Sequence, residues 1–193
     1  MRYILFSFIN LLFVSSSLSA QMTLSDAETK VYIEERKVLQ SRFAVAQAKL
    51  GLKSEASIAE SRALQGGSSE DKLRSSAEAQ SKMEEVNKDL DQLAQKVLSY
   101  ETSRLSTWNN EGFWYVVMKS GRTYSYWNSG PGAKFVVQKL EDQIAKIKSL
   151  KLTSTGPFKK SDLNESQKML DAIRGALDLD TELTRMAKQY LNR

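Results

Sequence analysis

The sequence contains no cysteine and no histidine, and it has only two prolines and nine glycines in 193 residues. The missing side chains exclude disulfides, imidazole acid–base catalysis, histidine-assisted nucleophiles and the usual zinc and copper sites. Any enzyme of this composition would depend on carboxylate, lysine or tyrosine chemistry. We therefore predict a protein that is not an enzyme and that needs no cofactor or metal, with a carboxylate-only hydrolase as an alternative.

Long apolar runs are also missing, except at the N-terminus. Residues 4–14 are almost all apolar, but eleven residues are too few to cross a bilayer as a helix. Arg2 precedes this run and small residues follow it, which is the layout of a secretory signal peptide. We predict a signal peptide over 1–20, cleaved after Ser19 or Ala20; the alternative is a retained N-terminal anchor. Because no transmembrane segment would remain after cleavage, we expect a periplasmic or secreted protein.

Two long stretches of helical periodicity follow the signal peptide, and a pair of glycines separates them. In the first stretch Val38 and Val45 recur at a spacing of seven beside Leu39, so we expect one broad apolar face. The pattern predicts a long antiparallel helical hairpin over 21–107, with its turn near 66–67.

The second helical stretch carries a regular heptad pattern. Its apolar residues alternate at spacings of three and four, as in the seam of a coiled coil. We expect this seam to hold a partner chain or a second copy of the protein. The seam residues are Met83, Val86, Leu90, Leu93, Val97 and Tyr100.

Aromatic residues are concentrated in one segment. Residues 108–135 hold eight of the 13 aromatic side chains that follow the signal peptide, including all three tryptophans. Ring-rich runs at 113–118 and 123–127 flank a short turn with a glycine, which predicts a β-hairpin. Both faces of its first strand would be apolar, because alternate strand residues point in opposite directions.

Two interpretations of this segment are open. Either both faces of the hairpin belong to the core, or one face is a binding surface in which rings lie beside cations. Residues 112–161 hold nine basic and two acidic side chains, so this region would attract an anionic partner. The candidate binding residues are Trp108, Trp114, Tyr124, Tyr126, Trp127, Lys119, Arg122 and Lys134.

Helical periodicity resumes after the aromatic segment. Residues 133–150, and a stretch from about 161 to the C-terminus, predict two further helices. The apolar face of the last helix shifts near 178–180, where we expect a kink or a restart of the helix. The whole pattern predicts a mainly α fold in which residues 108–193, the β-hairpin and two helices, pack on the base of the helical hairpin.

These features favour an exported, non-enzymatic helical protein of the cell envelope. We expect it to associate with a protein partner or with itself, and to contact a partner protein or an envelope component through its aromatic, basic segment. The alternative is a binding module for an anionic ligand, such as a lipid, lipopolysaccharide, a peptidoglycan fragment or an acidic glycan. A nucleic-acid partner is not expected, because an exported protein seldom meets one.

Overall fold

The structure, a computed structural model, is mainly α-helical, which confirms the predicted fold class. The predicted signal peptide over 1–20, the turn near 66–67 and Lys119 lie outside the residues that it describes. No helix in the described part of the chain combines the length and the apolarity needed to cross a membrane. The described residues are 26–63, 69–117, 120–130, 132–152 and 160–191.

Four helices make up most of the described chain. The helices are α1 (Asp26–Ala63), α2 (Ser69–Trp108), α3 (Ala133–Ser149) and α4 (Lys160–Leu191). Helix α2 packs against all three of the others, and α4 packs against α1 and α3 as well. The side chains buried between them form one apolar cluster, so the four helices share a core.

Helix α2 lies at the centre of this core, and an apolar seam runs along its buried face. The seam that we expected to hold a partner lies on this buried face. Its residues contribute to the shared apolar cluster, so the protein's own helices cover them. This corrects the expectation of an open seam for a partner helix. The buried seam residues are Met83, Val86, Leu90, Leu93, Val97 and Tyr100, none more than 7% exposed.

Helix α1 has apolar residues on two sides, whereas we expected one broad face. Leu39, Ala46 and Leu50 are buried, but Val38 and Val45 are 55% and 54% exposed. Neighbouring residues of a helix point about 100° apart. Val38 and Val45, each one position before a buried residue, therefore point towards solvent.

Helix α4 runs without interruption through residues 178–180, so the restart that we considered there does not occur. Asp180 points into the core and has no exposed area. Its carboxylate accepts hydrogen bonds from other helices, so a polar residue is accommodated on the inner face without a break in the helix.

Two short strands connect α2 to α3. Strand β1 (Tyr115–Val117) pairs in antiparallel register with β2 (Thr123–Ser125), with Val116 opposite Tyr124. Both strands are shorter than predicted. A 3-10 helix, Glu111–Trp114, occupies the start of the first predicted strand and buries the consecutive side chains Phe113 and Trp114. Consecutive residues of a strand would point to opposite faces, so a helical turn serves this burial better.

Val97→Asp tests the inward orientation of the seam. Val97 has no exposed area, so the substitution buries a carboxylate in an apolar core and should lower the free energy of unfolding by about 3–5 kcal/mol. Urea unfolding followed by helical circular dichroism measures this loss. Lys96→Asp, on the exposed neighbouring position, is the control and should change stability by less than about 1 kcal/mol. A fully stable Val97→Asp variant that only loses self-association would contradict the fold.

Candidate functional site

The aromatic segment is divided between an inner and an outer group of rings. The inner group is Trp108, Phe113 and Trp114, each at most 1% exposed. Their ring centroids lie 5.1 to 5.9 Å apart, and Phe113 meets both indoles edge-on. Because Trp108 and Trp114 expose no area, they cannot contact a ligand or partner. This corrects their assignment as candidate binding residues.

The outer aromatic surface, as we name it, consists of Tyr124, Tyr126, Trp127 and Phe135. Tyr124 and Phe135 are 43% and 49% exposed, and the other two rings are half-buried. The rings of Tyr124 and Tyr126 pack edge-to-face with centroids 4.7 Å apart. Three of the predicted aromatic binding residues are therefore accessible, and with Phe135 they lie in β2, in the loop after it and at the start of α3.

Backbone hydrogen bonds hold this surface to the core. The N–H of Tyr126 donates to the carbonyl of Trp114 at 3.0 Å. At the start of α3, the N–H groups of Ala133 and Lys134 donate to the carbonyls of Tyr126 and Trp127, each at 3.1 Å. The first amides of a helix lack partners within it, so these bonds both cap α3 and fix the outer aromatic surface against its N-terminus.

One cation contacts an exposed ring, and two others are exposed in the same segment of the chain. Arg122 and Lys134 are exposed, and the ammonium of Lys139 lies 4.3 Å from the ring centroid of Phe135. That distance is within the range of a cation–π contact. The described part of the aromatic segment therefore presents rings and positive charge together.

A buried charge network, which the sequence analysis missed, lies beneath the inner rings. Asp180 accepts hydrogen bonds from Arg104 Nε at 2.7 Å and from Trp108 Nε1 at 2.9 Å, both at Oδ1. Its Oδ2 accepts from the hydroxyl of Tyr100 at 3.1 Å and from Arg36 Nη1 at 3.4 Å. One carboxylate thereby joins α1, α2 and α4.

Several further contacts hold Arg104 in this network. Its guanidinium lies 4.6 Å from the ring centroid of Trp108 and 5.4 Å from that of Tyr100. Its Nη2 donates to Thr184 Oγ1 at 3.0 Å, and Arg36 donates to the same oxygen at 3.1 Å. Burial, reinforced by the negative charge of Asp180, raises the pKa of Tyr100. The phenol therefore stays protonated and donates.

The sequence did contain a signal for this network. Positions 173, 177, 180 and 184 share one helical face, and the last two hold Asp180 and Thr184 in line with buried apolar residues. A charged residue on an otherwise buried face indicates a partner of opposite charge on a neighbouring helix. We interpreted the pattern as a kink instead.

The network links α1, α2 and α4 through one buried carboxylate. Both oxygens of Asp180 are engaged by donors of the protein itself. No group of three or more candidate metal ligands occurs among the described residues. The outer aromatic surface is therefore the candidate functional site, and the charge network is its support.

Asp180→Asn tests whether the buried charge network stabilises the fold. Removing the carboxylate charge leaves two arginines at the buried site without their counter-ion, so the free energy of unfolding at neutral pH should fall by about 3–5 kcal/mol. Chemical denaturation measures the loss. Asp178→Asn, an exposed carboxylate on the same helix, is the matched control and should be close to neutral. Equal stability of the two variants would show that the network contributes little.

Gly132→Ala tests the junction between the outer aromatic surface and α3. A Cβ at Gly132 would lie 2.8 Å from the carbonyl oxygens of both Tyr126 and Trp127. The backbone must shift to relieve this contact, so we expect the free energy of unfolding to fall by about 1–3 kcal/mol. Thermal unfolding measures this loss. Gly51→Ala is the control, because a Cβ there meets none of the described atoms within 4 Å. Gly51 is exposed, so alanine at this position should stabilise helix α1 by up to about 1 kcal/mol. Similar effects at both glycines would contradict the geometry.

Comparison with known proteins adds no family to this geometry. Neither a protein-family model, nor a curated protein, nor a solved structure matches the chain. A function is therefore inferred from the outer aromatic surface and from the helices that support it.

Proposed function

We propose that this protein is an exported, non-enzymatic interaction protein of the cell envelope. It contacts a partner protein or an envelope component through the outer aromatic surface together with Arg122 and Lys134. The observation that carries the proposal is the exposure of Tyr124 and Phe135, at 43% and 49%, with the ammonium of Lys139 4.3 Å from the ring centroid of Phe135. Export rests on the sequence layout of residues 1–20.

The exposure of these rings supports binding because the largest other rings of the segment lie in the core. Trp108, Phe113 and Trp114 fill the interior of the same segment. Large aromatic side chains dominate the energy of protein interfaces when they fill a pocket in a partner. A protein partner with an apolar pocket therefore fits the outer aromatic surface.

The way these rings are held also supports binding. The edge-to-face pair of Tyr124 and Tyr126, and the hydrogen bonds to Ala133 and Lys134, restrict the surface before any partner arrives. A surface that is ordered in advance loses less conformational entropy on binding. Rigid rings of this kind are suited to act as anchors.

The remaining architecture fits a scaffold. We propose that α1 and α2 are the antiparallel arms of a helical hairpin, and that the strands and the last two helices pack on its base. No catalytic role is assigned, because the chain lacks histidine and cysteine and the buried carboxylate of Asp180 is engaged by four donors. Such a body serves to position a contact surface.

An anionic ligand is the second candidate for this surface. Arg122 and Lys134 are exposed, and Lys139 lies over the ring of Phe135. Cations flanking rings suit a lipid headgroup, lipopolysaccharide, a peptidoglycan fragment or an acidic glycan. Binding of that kind would depend on charge and would weaken strongly with salt.

Co-sedimentation with isolated cell envelopes tests the proposal. The double substitution Tyr124→Ala/Phe135→Ala should weaken binding by at least about tenfold, since two anchor side chains contribute about 1 kcal/mol or more each. The matched control is Val38→Ala/Val45→Ala, which removes two apolar side chains of similar exposure from α1. Equal binding by both double variants and the unmodified protein would contradict the proposal.

The same assay separates the two candidate partners. If the partner is an anionic ligand, Arg122→Glu/Lys134→Glu should abolish binding to it. Any binding to the envelopes that remains should then be insensitive to salt. With a protein partner that receives the rings, the ring substitutions should have the larger effect. Protease treatment of the envelopes should then remove the binding partner.

A further inference from the structure

Glu101 is the most unusual side chain of the interior. It has no exposed area, and neither of its carboxylate oxygens has a hydrogen-bond partner among the residues that the structure describes. Isolated charge in a protein interior is strongly disfavoured. Burial raises the pKa of Glu101 well above the usual range for glutamate, and the negative charge of Asp180 raises it further, against the opposing effects of Arg104 and Arg36. The folded protein therefore holds Glu101 as a neutral acid.

The titratable groups around Glu101 come from three helices. Arg36 belongs to α1, Tyr100 and Arg104 to α2, and Asp180 to α4. The buried side chains of α3 are all apolar. The positive charges that oppose the raised pKa of Glu101 are those of Arg104 and Arg36, and both arginines already donate to Asp180.

A second carboxylate cannot share these arginines freely. Arg104 is held by Asp180, by Thr184 and by the rings of Tyr100 and Trp108. When Glu101 loses its proton, its O–H bond breaks, the proton passes to water and a negative charge stays in the interior. That charge must either attract an arginine away from Asp180 or admit water. Either outcome weakens the bonds between the helices.

We propose that Glu101 is a pH-dependent switch within the helix bundle, and that its deprotonation loosens the packing of the helices. With Glu101 protonated, Arg36 and Arg104 stay paired with Asp180, and the bundle is closed. Loss of the proton makes the two carboxylates compete for these arginines and loosens α1 and α4 from α2. The proposal concerns the interior of the bundle and does not depend on the proposed function.

The direction of the pH effect follows from linkage. In the unfolded chain Glu101 titrates near the ordinary value for glutamate, about 4.3, whereas the folded protein binds the same proton more tightly. The stability from Glu101 is therefore fully present below the unfolded pKa. It is lost as the pH rises through the raised pKa of the folded state.

A line of hydrogen bonds connects this centre to the outer aromatic surface. Trp108 Nε1 donates to Asp180, and Trp114 Nε1 donates to the carbonyl of Trp108, both at 2.9 Å. The N–H of Tyr126 then donates to the carbonyl of Trp114 at 3.0 Å. Loosening at Asp180 should therefore reach the backbone of Tyr126.

Glu101→Gln provides the main test, since glutamine keeps the shape of the neutral acid and cannot ionise. The readout is the change in Tm between about pH 5 and about pH 9. From the lower to the higher pH, we expect the Tm of the unmodified protein to fall by at least about 4 °C more than the Tm of Glu101→Gln. Glu35→Gln removes an exposed carboxylate of α1 and is the control, which should follow the unmodified protein.

Two further measurements keep the test decisive if glutamine is poorly tolerated. Glu101→Met, an apolar residue of similar size, should also remove the extra loss of Tm. In the unmodified protein, hydrogen exchange at the Tyr126 amide should accelerate with pH beyond the intrinsic chemical rate, and this excess should disappear in Glu101→Gln. Parallel pH profiles of all the variants, or a Glu101 carboxyl that titrates in the ordinary range for glutamate by NMR, would overturn the proposal.

A double-substitution cycle identifies the competition itself. In the Asp180→Asn background, Glu101 can ionise and offset part of the negative charge that the arginines have lost. Asp180→Asn should therefore lower the urea midpoint further in the Glu101→Gln background than in the unmodified protein. Additive effects would mean that the two carboxylates do not act on the same arginines, and the proposal would fail.

Discussion

The carboxylate of Asp180 is the interaction on which the rest of this structure depends. Its four donors come from residues 36, 100, 104 and 108, so one side chain of α4 joins α1, α2 and the start of the aromatic segment. A buried charge is tolerated only when its lone pairs are satisfied, which ties all these elements to one arrangement. Leu or Ala at the same position would bury more easily, but would accept no hydrogen bond from Arg104 or Tyr100.

This constraint explains how the aromatic segment is divided. Trp108 must point inward to donate to Asp180, and Trp114 then donates to the carbonyl of Trp108. With Phe113 these rings complete the core, while the 3-10 helix that carries two of them shortens the first strand. Tyr124 and Phe135 have no corresponding partner in the core and stay exposed. Support and contact surface are thus neighbouring parts of one short segment.

Glu101 shows the cost of placing charge at the centre of a small bundle. One carboxylate has four donors, whereas the second, on α2, has none among the described residues. A neutral acid is less costly to bury than a carboxylate, and in the proposed mechanism its ionisation disturbs the same arginines that hold Asp180. The feature that specifies the packing of the helices is therefore also the feature through which pH can act on it.

The sequence by itself determined what depends on local spacing. Helical periodicity, the breaks between helices and the mainly α class could be predicted, because contacts between residues three and four apart set them. Only the tertiary structure decided which faces are covered. The heptad of Met83 to Tyr100 has the same spacing whether its cover is a partner or the protein itself, and Trp108 and Tyr124 are equally aromatic inside or outside. Asp180 meets Arg36 across 144 residues, and no local pattern specifies such a contact.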